Sequence, residues 1–201
     1  APGGKFCGLI MLFSLETLEP LALIQDAVLN KMMVGATSGI AAKYMSRPES
    51  RSMALLGSGW LAHTQVLAHC AVRPIERIKV FSPNKEHREA FCRTLQREVE
   101  AELIPVAGAQ IAIEGTDIVA CATNSYEPVF DGNWLTPGHH VGTVTKSEFD
   151  ETTAERAAIL GTQALDPATF WNPPGIEPKE LEWFRRMQPQ WNRKLRALGK
   201  I

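Results

Sequence analysis

The short run Ser52-Met53-Ala54-Leu55-Leu56 stops at Gly57-Ser58-Gly59, and a helical pattern takes over from Trp60 to Val72. A buried strand that turns at once into a helix belongs in a layered α/β sheet. The turn reads Gly57-Ser58-Gly59-Trp60-Leu61-Ala62, a G-x-G-x-x-A pattern whose positions have separate physical jobs. Gly57 lets the chain reverse sharply. Gly59 has no side chain, so a phosphate can approach the main chain. Ala62 keeps the helix close to the sheet. The backbone N–H groups from Ser58 through Trp60 and Leu61, with the dipole of the helix start, then favour negative charge. The pattern predicts a dinucleotide cradle. The alternative is a tight strand-to-helix turn that holds nothing.

Strands and helices alternate on both sides of this turn. Upstream, Phe6 to Ser14 and Pro20 to Gln25 are strand-like and flank a hairpin connection at Leu15 to Glu19. A helix follows, with Ile40, Ala41, Tyr44 and Met45 as its apolar face, and Arg47-Pro48 ends it. Downstream, strands are expected at Arg77 to Ser82, Glu102 to Val106, Asp117 to Thr123 and His139 to Val144. Helices are expected at Lys85 to Glu100 and Ala107 to Glu114. Short loops joining such elements imply a Rossmann-type parallel sheet with helices on both faces and right-handed crossovers. Thr152 to Leu160 reads as a helix running into a sixth strand. From Asp166 the chain turns rich in Pro and Trp and locally basic, and Glu180 to Met187 and Trp191 to Leu198 read as two short helices. This divides the chain into residues 1–46, a Rossmann unit at 47–165 and a helical tail at 166–201. The bland account of that tail is a docked or partner-binding segment with a solvated charged face.

The end of the second Rossmann strand bears on which nicotinamide cofactor fits. An acidic residue there would bind a ribose 2′-hydroxyl and repel a 2′-phosphate. This chain has Phe81-Ser82-Pro83-Asn84-Lys85 and then Arg88, with no acid from Phe81 to Lys85. Hydroxyl, amide and cations suit a 2′-phosphate, so NADP is favoured over NAD. The alternative is that Lys85 and Arg88 are a solvated helix start. Thr123-Asn124-Ser125 ends the fourth Rossmann strand at the sheet edge where ligands sit, and its polar groups are candidates to face the cofactor. A capped loop is the competing explanation.

Composition narrows the partners. A net charge of -1 on 201 residues gives no global electrostatic case for nucleic acid or membrane. No apolar run approaches the roughly 20 residues that span a bilayer. No signal peptide is read at Ala1 to Lys5, so a cytoplasmic protein is expected. Cys7, Cys70, Cys92 and Cys121 are far apart in sequence and read as buried thiols. His139 and His140 point apart on a strand, and His63 and His69 face different ways on a helix, so no metal site is expected.

Together these residues resemble the ornithine cyclodeaminase/mu-crystallin family. The Gly57-Ser58-Gly59 turn carries part of the likeness, as does Asp117-Ile118-Val119-Ala120-Cys121-Ala122-Thr123-Asn124-Ser125. Glu127-Pro128-Val129, the run Trp134-Leu135-Thr136-Pro137-Gly138-His139-His140-Val141 and the helix segment Val34 to Ala42 carry the rest. The resemblance runs from about Phe6 to Asp150. It implies a Rossmann domain paired with a strand-rich domain that makes a homodimer, with residues 1–46 as part of the latter. It also implies hydride transfer between NAD(P) and an amine or imine carbon of an amino acid or cyclic imine. The family has an Arg at the start of the helix before the Rossmann unit, to hold a substrate carboxylate; the matching position here is Met33. The family's catalytic Lys would precede Ala1, and its late acidic residue has no match in Thr162 to Ile201. No general acid or base is assigned. Three functions therefore stand: an NADP-preferring oxidoreductase, a non-catalytic NADPH-binding protein of the mu-crystallin kind, or an interaction module that has lost the cofactor.

Overall fold

The computed structural model describes residues 8–162 and 195–197. Strands β1 (Leu9–Phe13) and β2 (Pro20–Gln25) form an antiparallel hairpin, and α1 (Ala27–Met45) follows. The sheet that organises the rest is built from β3 (Ser52–Leu56), β4 (Arg77–Phe81), β5 (Glu102–Pro105), β6 (Ile118–Cys121) and β7 (His140–Thr143). All its pairings are parallel, in the order β5-β4-β3-β6-β7. Helices α2 (Ala62–Val72), α3 (Lys85–Leu95) and α4 (Ala109–Ile113) fill the crossovers, and α5 (Glu151–Arg156) comes after β7.

The order reverses between β3 and β6, which is the switch point of a doubly wound sheet. Its central strand shows why the sequence folds this way. Every residue of β3 is buried, and alternate side chains enter different cores. Met53 and Leu55 pack with Val66, Ile78, Val80 and Leu95 on one face; Ala54 and Leu56 pack with Ile113, Val119, Cys121 and Phe130 on the other. At the amino ends of β3 and β6, Asp117 joins the strands. Its carboxylate accepts from the Arg51 and Ser52 N–H groups and the Ser52 hydroxyl, and pairs with Arg47 at 2.7 Å. Burial raises the Asp117 pKa, but these donors and the Arg47 charge outweigh it and hold the carboxyl below its ordinary value.

Three expectations need correcting. The apolar stripe read on α1 does not face the core: Ile40 and Tyr44 are exposed, and Gly35, Gly39 and Ala42 are buried. The helix crosses α2 so closely that a Cβ on Gly35 would lie 2.6 Å from that of Thr64. Only small residues fit such a crossing, so size overrides hydrophobicity there. The strand after α5, β8 (Leu160–Thr162), does not join the large sheet; it pairs in parallel with β9 (Leu195–Ala197). Leu195–Ala197 is thus a strand where a helix is expected, because pairing with β8 outweighs local helical preference. The remainder of the tail, including the helix expected at Glu180 to Met187, lies outside the described residues, as does Cys7.

Candidate functional site at the switch point

The carboxyl ends of β3, β4 and β6 converge on the glycine turn. Gly57 N–H donates to Phe81 O, closing the turn on β4, and Ala122 N–H donates to Leu56 O, closing β6 on β3, both at 2.8 Å. Gly57 has φ +114°, a conformation that side chains other than glycine resist, and a Cβ there would lie 2.3 Å from Ala122 O. Glycine is therefore required twice over. Gly59 differs, since a Cβ built on it meets nothing within 4 Å. The space above it is open.

Trp60 and Leu61 belong to the turn; the helix begins at Ala62, two residues later than expected. No side chain caps α2, and among the described residues no acceptor takes the N–H of Ser58 or Gly59. Donors at a helix start, an aligned dipole and clear space make a place for an anion. The turn is steadied from β4 by a 2.8 Å hydrogen bond between the Ser58 and Ser82 hydroxyls.

The residues after β4 divide into two kinds. Ser82 is buried and bonded to Ser58, and the Asn84 side chain accepts from His87 N–H as the cap of α3. Their polar atoms already hold the loop. Pro83 is exposed, and Lys85 is exposed beside Glu89 at 3.9 Å. Arg88 donates through Nη1 to Ser82 O and is half-buried. Lys85 and Arg88 are the cations of this rim.

Beyond β6, Thr123, Asn124 and Ser125 form a loop tied down from an unexpected quarter. Glu148 is fully buried. Its Oε1 accepts from Thr123 N–H and Oγ1–H at 2.6 and 2.8 Å, and its Oε2 accepts from Val144 and Thr145 N–H at 2.8 and 2.9 Å. Burial raises its pKa above the ordinary glutamate value, against the pull of these donors. Ser125 N–H donates to Thr123 Oγ1, and Asn124 is exposed. Glu148 is absent from the sequence-derived site, although Thr145-Lys146-Ser147-Glu148 is a capping-box pattern that marks it. The thiol of Cys121 is pushed up by burial and then by the Glu148 charge, which makes it a core residue and not a nucleophile.

Met33 is half exposed on α1 and offers no charged donor; its carbonyl accepts from Thr37. Among the described residues no three His, Cys, Asp or Glu side chains gather as a metal site, and no helix is long and apolar enough to cross a membrane.

Comparison with known proteins bears on the family and the fold. The model of the ornithine cyclodeaminase/mu-crystallin family matches residues 5–165. A delta(1)-pyrroline-2-carboxylate reductase of Bacillus cereus is 34% identical over 137 residues, covering 68% of this chain and 42% of that protein. An ornithine cyclodeaminase of Agrobacterium fabrum is 35% identical over 130 residues, 62% of this chain and 36% of that one. Among solved structures, Thermococcus litoralis delta(1)-pyrroline-2-carboxylate reductase, in complex with NADH and L-proline, superposes with a TM-score of 0.81 at 26% identity. That match covers 97% of this chain and 60% of the other. The matches to these two curated relatives span under half of each relative's length.

Proposed function

The chain belongs to the ornithine cyclodeaminase/mu-crystallin family, and from that premise we propose that it is an NAD(P)-dependent oxidoreductase acting at an amine or imine carbon of an amino acid or cyclic imine. The observation that carries this is the Gly57-Ser58-Gly59 turn at the β3/β6 switch point, with open space over Gly59. The N–H groups of Ser58 and Gly59 and the start of α2 receive the diphosphate. Residues 47–165 form the cofactor-binding unit. Lys85 and Arg88 face the adenine-ribose end, and Thr123, Asn124 and Ser125 the nicotinamide end. When bound, the nicotinamide supplies or accepts hydride; the chain's task is to place and shield it.

Binding and turnover are tested separately. NADPH at a hundredfold excess over its Kd adds about 2.7 kcal/mol to unfolding stability, read as a rise in Tm. Gly59→Glu leaves the ligand-free Tm unchanged, because its side chain enters open space, yet it abolishes the ligand-induced rise. No rise in the wild type with NADH or NADPH would end the proposal. Turnover is followed as NADPH oxidation across a panel of cyclic imines, pyrroline-2-carboxylate included.

The absence of an acid from Phe81 to Lys85 favours NADP. Lys85→Ala should weaken NADPH binding about tenfold, the value of one charge-assisted contact, and leave NADH binding unchanged. Equal effects on both would remove the preference.

A second reading, NADPH binding without turnover, is favoured by Met33, which cannot grip a substrate carboxylate as an arginine does. It stands if cofactor binds and none of the imines is reduced. In either case we propose a homodimer formed through the β1–β2 hairpin, whose Leu9, Met11, Phe13, Leu21 and Leu23 are exposed.

A further inference from the structure

We propose that Glu148 is a positioning residue that sets the nicotinamide half of the site. The inference rests on the cofactor reading above and extends it to a residue with no polar atom at the ligand surface. Its four bonds join two strand ends: Oε1 holds the end of β6 at Thr123, and Oε2 holds the end of β7 at Val144 and Thr145. The same short turn grips the intervening loop twice more. Val129 N–H donates to Glu148 O at 3.0 Å, and Ser147 Oγ donates to Ser125 O at 2.8 Å.

The chemistry fixes the form of the residue. All four groups facing the carboxylate are donors, and an ionised carboxylate is acceptor-only, so each oxygen is fully used. An uncompensated charge in this position would be costly; with four short bonds it is held. An amide of the same shape must turn an NH₂ either toward the Val144 and Thr145 N–H groups or toward the Thr123 N–H, beside which only the Thr123 hydroxyl can accept in return. Either Thr123 or the β7 end then loses its anchor.

Thr123 is the link to the ligand surface. Its hydroxyl, held by Glu148, in turn accepts from Ser125 N–H at 3.1 Å, so displacement of Thr123 is passed along the loop to Ser125. In a doubly wound sheet the two mononucleotide halves lie on either side of the switch point. Here β4 and β5 serve one half, and β6 and β7, the strands that Glu148 ties, serve the other. A defect at Glu148 is therefore selective for the nicotinamide end.

The experiment compares NADPH with ADP-ribose and its 2′-phosphate, probes that carry the diphosphate but no nicotinamide. Wild type should bind NADPH more tightly than either probe. Glu148→Gln should weaken NADPH about tenfold, the scale of an orphaned buried donor, while the probes stay within about twofold of wild type. Thr123→Val, which removes the hydroxyl that bonds both Glu148 and Ser125 N–H, should shift the same ratio in the same direction. It also serves if Glu148→Gln does not fold. Equal weakening of NADPH and probes, or no change in either, overturns the positioning role. So does a wild type that binds probes and NADPH equally. A wild type that binds none of them overturns the cofactor reading itself, a separate result.

Discussion

At the residue scale, two buried imidazoles make the fold sensitive to acid. His140 on β7 and His69 on α2 are buried, and the Nε2 atom of each lacks a partner among the described residues. Burial, the neighbouring His69 and the Arg73 charge lower the His140 pKa to about 4. Burial also lowers that of His69, against its bond to Gln65 O at 2.7 Å. The unfolded chain takes up protons on these rings near pH 6.5, and the folded chain does not. Stability is therefore intact above pH 6.5 and falls as pH drops toward 4, with His140 alone accounting for up to about 3 kcal/mol. Urea unfolding between pH 7.5 and 4.5 should show this slope, and His140→Leu should flatten it. A slope unaltered by that substitution would place the acid sensitivity elsewhere. None of this was visible in the sequence, where His139 and His140 could be assigned opposite directions but not depths. Glu148 was legible only as a capping pattern, because its partner Thr123 lies far back in the sequence, beyond the end of β6.

Among the elements, the strands were the easiest to read. Ser52–Leu56 and Pro20–Gln25 match their expected limits, since apolar runs bounded by Gly, Pro or polar residues leave little latitude. Helix ends drifted. α3 stops at Leu95 and not Glu100, and the Gln96 side chain bonds Val99 O, Ala101 O and Leu103 N–H to lead the chain into β5. The face of α1 was misjudged because its crossing with α2 selects for the absence of side chains, which hydrophobic spacing does not register. That crossing decides a sign. Helix propensity favours Ala over Gly by about 1 kcal/mol. A Cβ at Gly35 would lie 2.6 Å from Thr64 Cβ and 2.8 Å from Thr64 O, and overpacking of this kind costs about 1–3 kcal/mol. Gly35→Ala should thus lower stability, with a reduced urea midpoint. Gly39→Ala, whose nearest neighbours are at 3.1 Å, should cost less. A stabilised Gly35→Ala would mean that the two helices separate easily.

For the whole molecule, the contrast is between a sheet buried on both faces and a hairpin buried on neither. Met11 pairs with Leu23 on one side of the hairpin and Ile10 with Ile24 on the other, and all four are exposed. Two strands with apolar faces turned outward are marginal alone. On the proposed homodimer, Met11→Lys with Leu23→Lys should convert the dimer to monomer in light scattering while NADPH binding persists. A wild-type monomer would reject that assembly. The fold class was readable because the glycine turn and the strand-helix alternation are local. What packs on the hairpin was not, because it depends on surfaces that contact one another across long sequence distances. The hydroxyl pair of Ser58 and Ser82 has one more consequence. Either oxygen can be the donor, so the pair can reverse its polarity by rotating two C–O bonds. When Ser82 donates to Ser58 in place of its 3.3 Å bond to Asn84 O, the Ser58 O–H is released, so on the proposed cofactor reading a proton can be turned toward an anion while the heavy atoms keep their places.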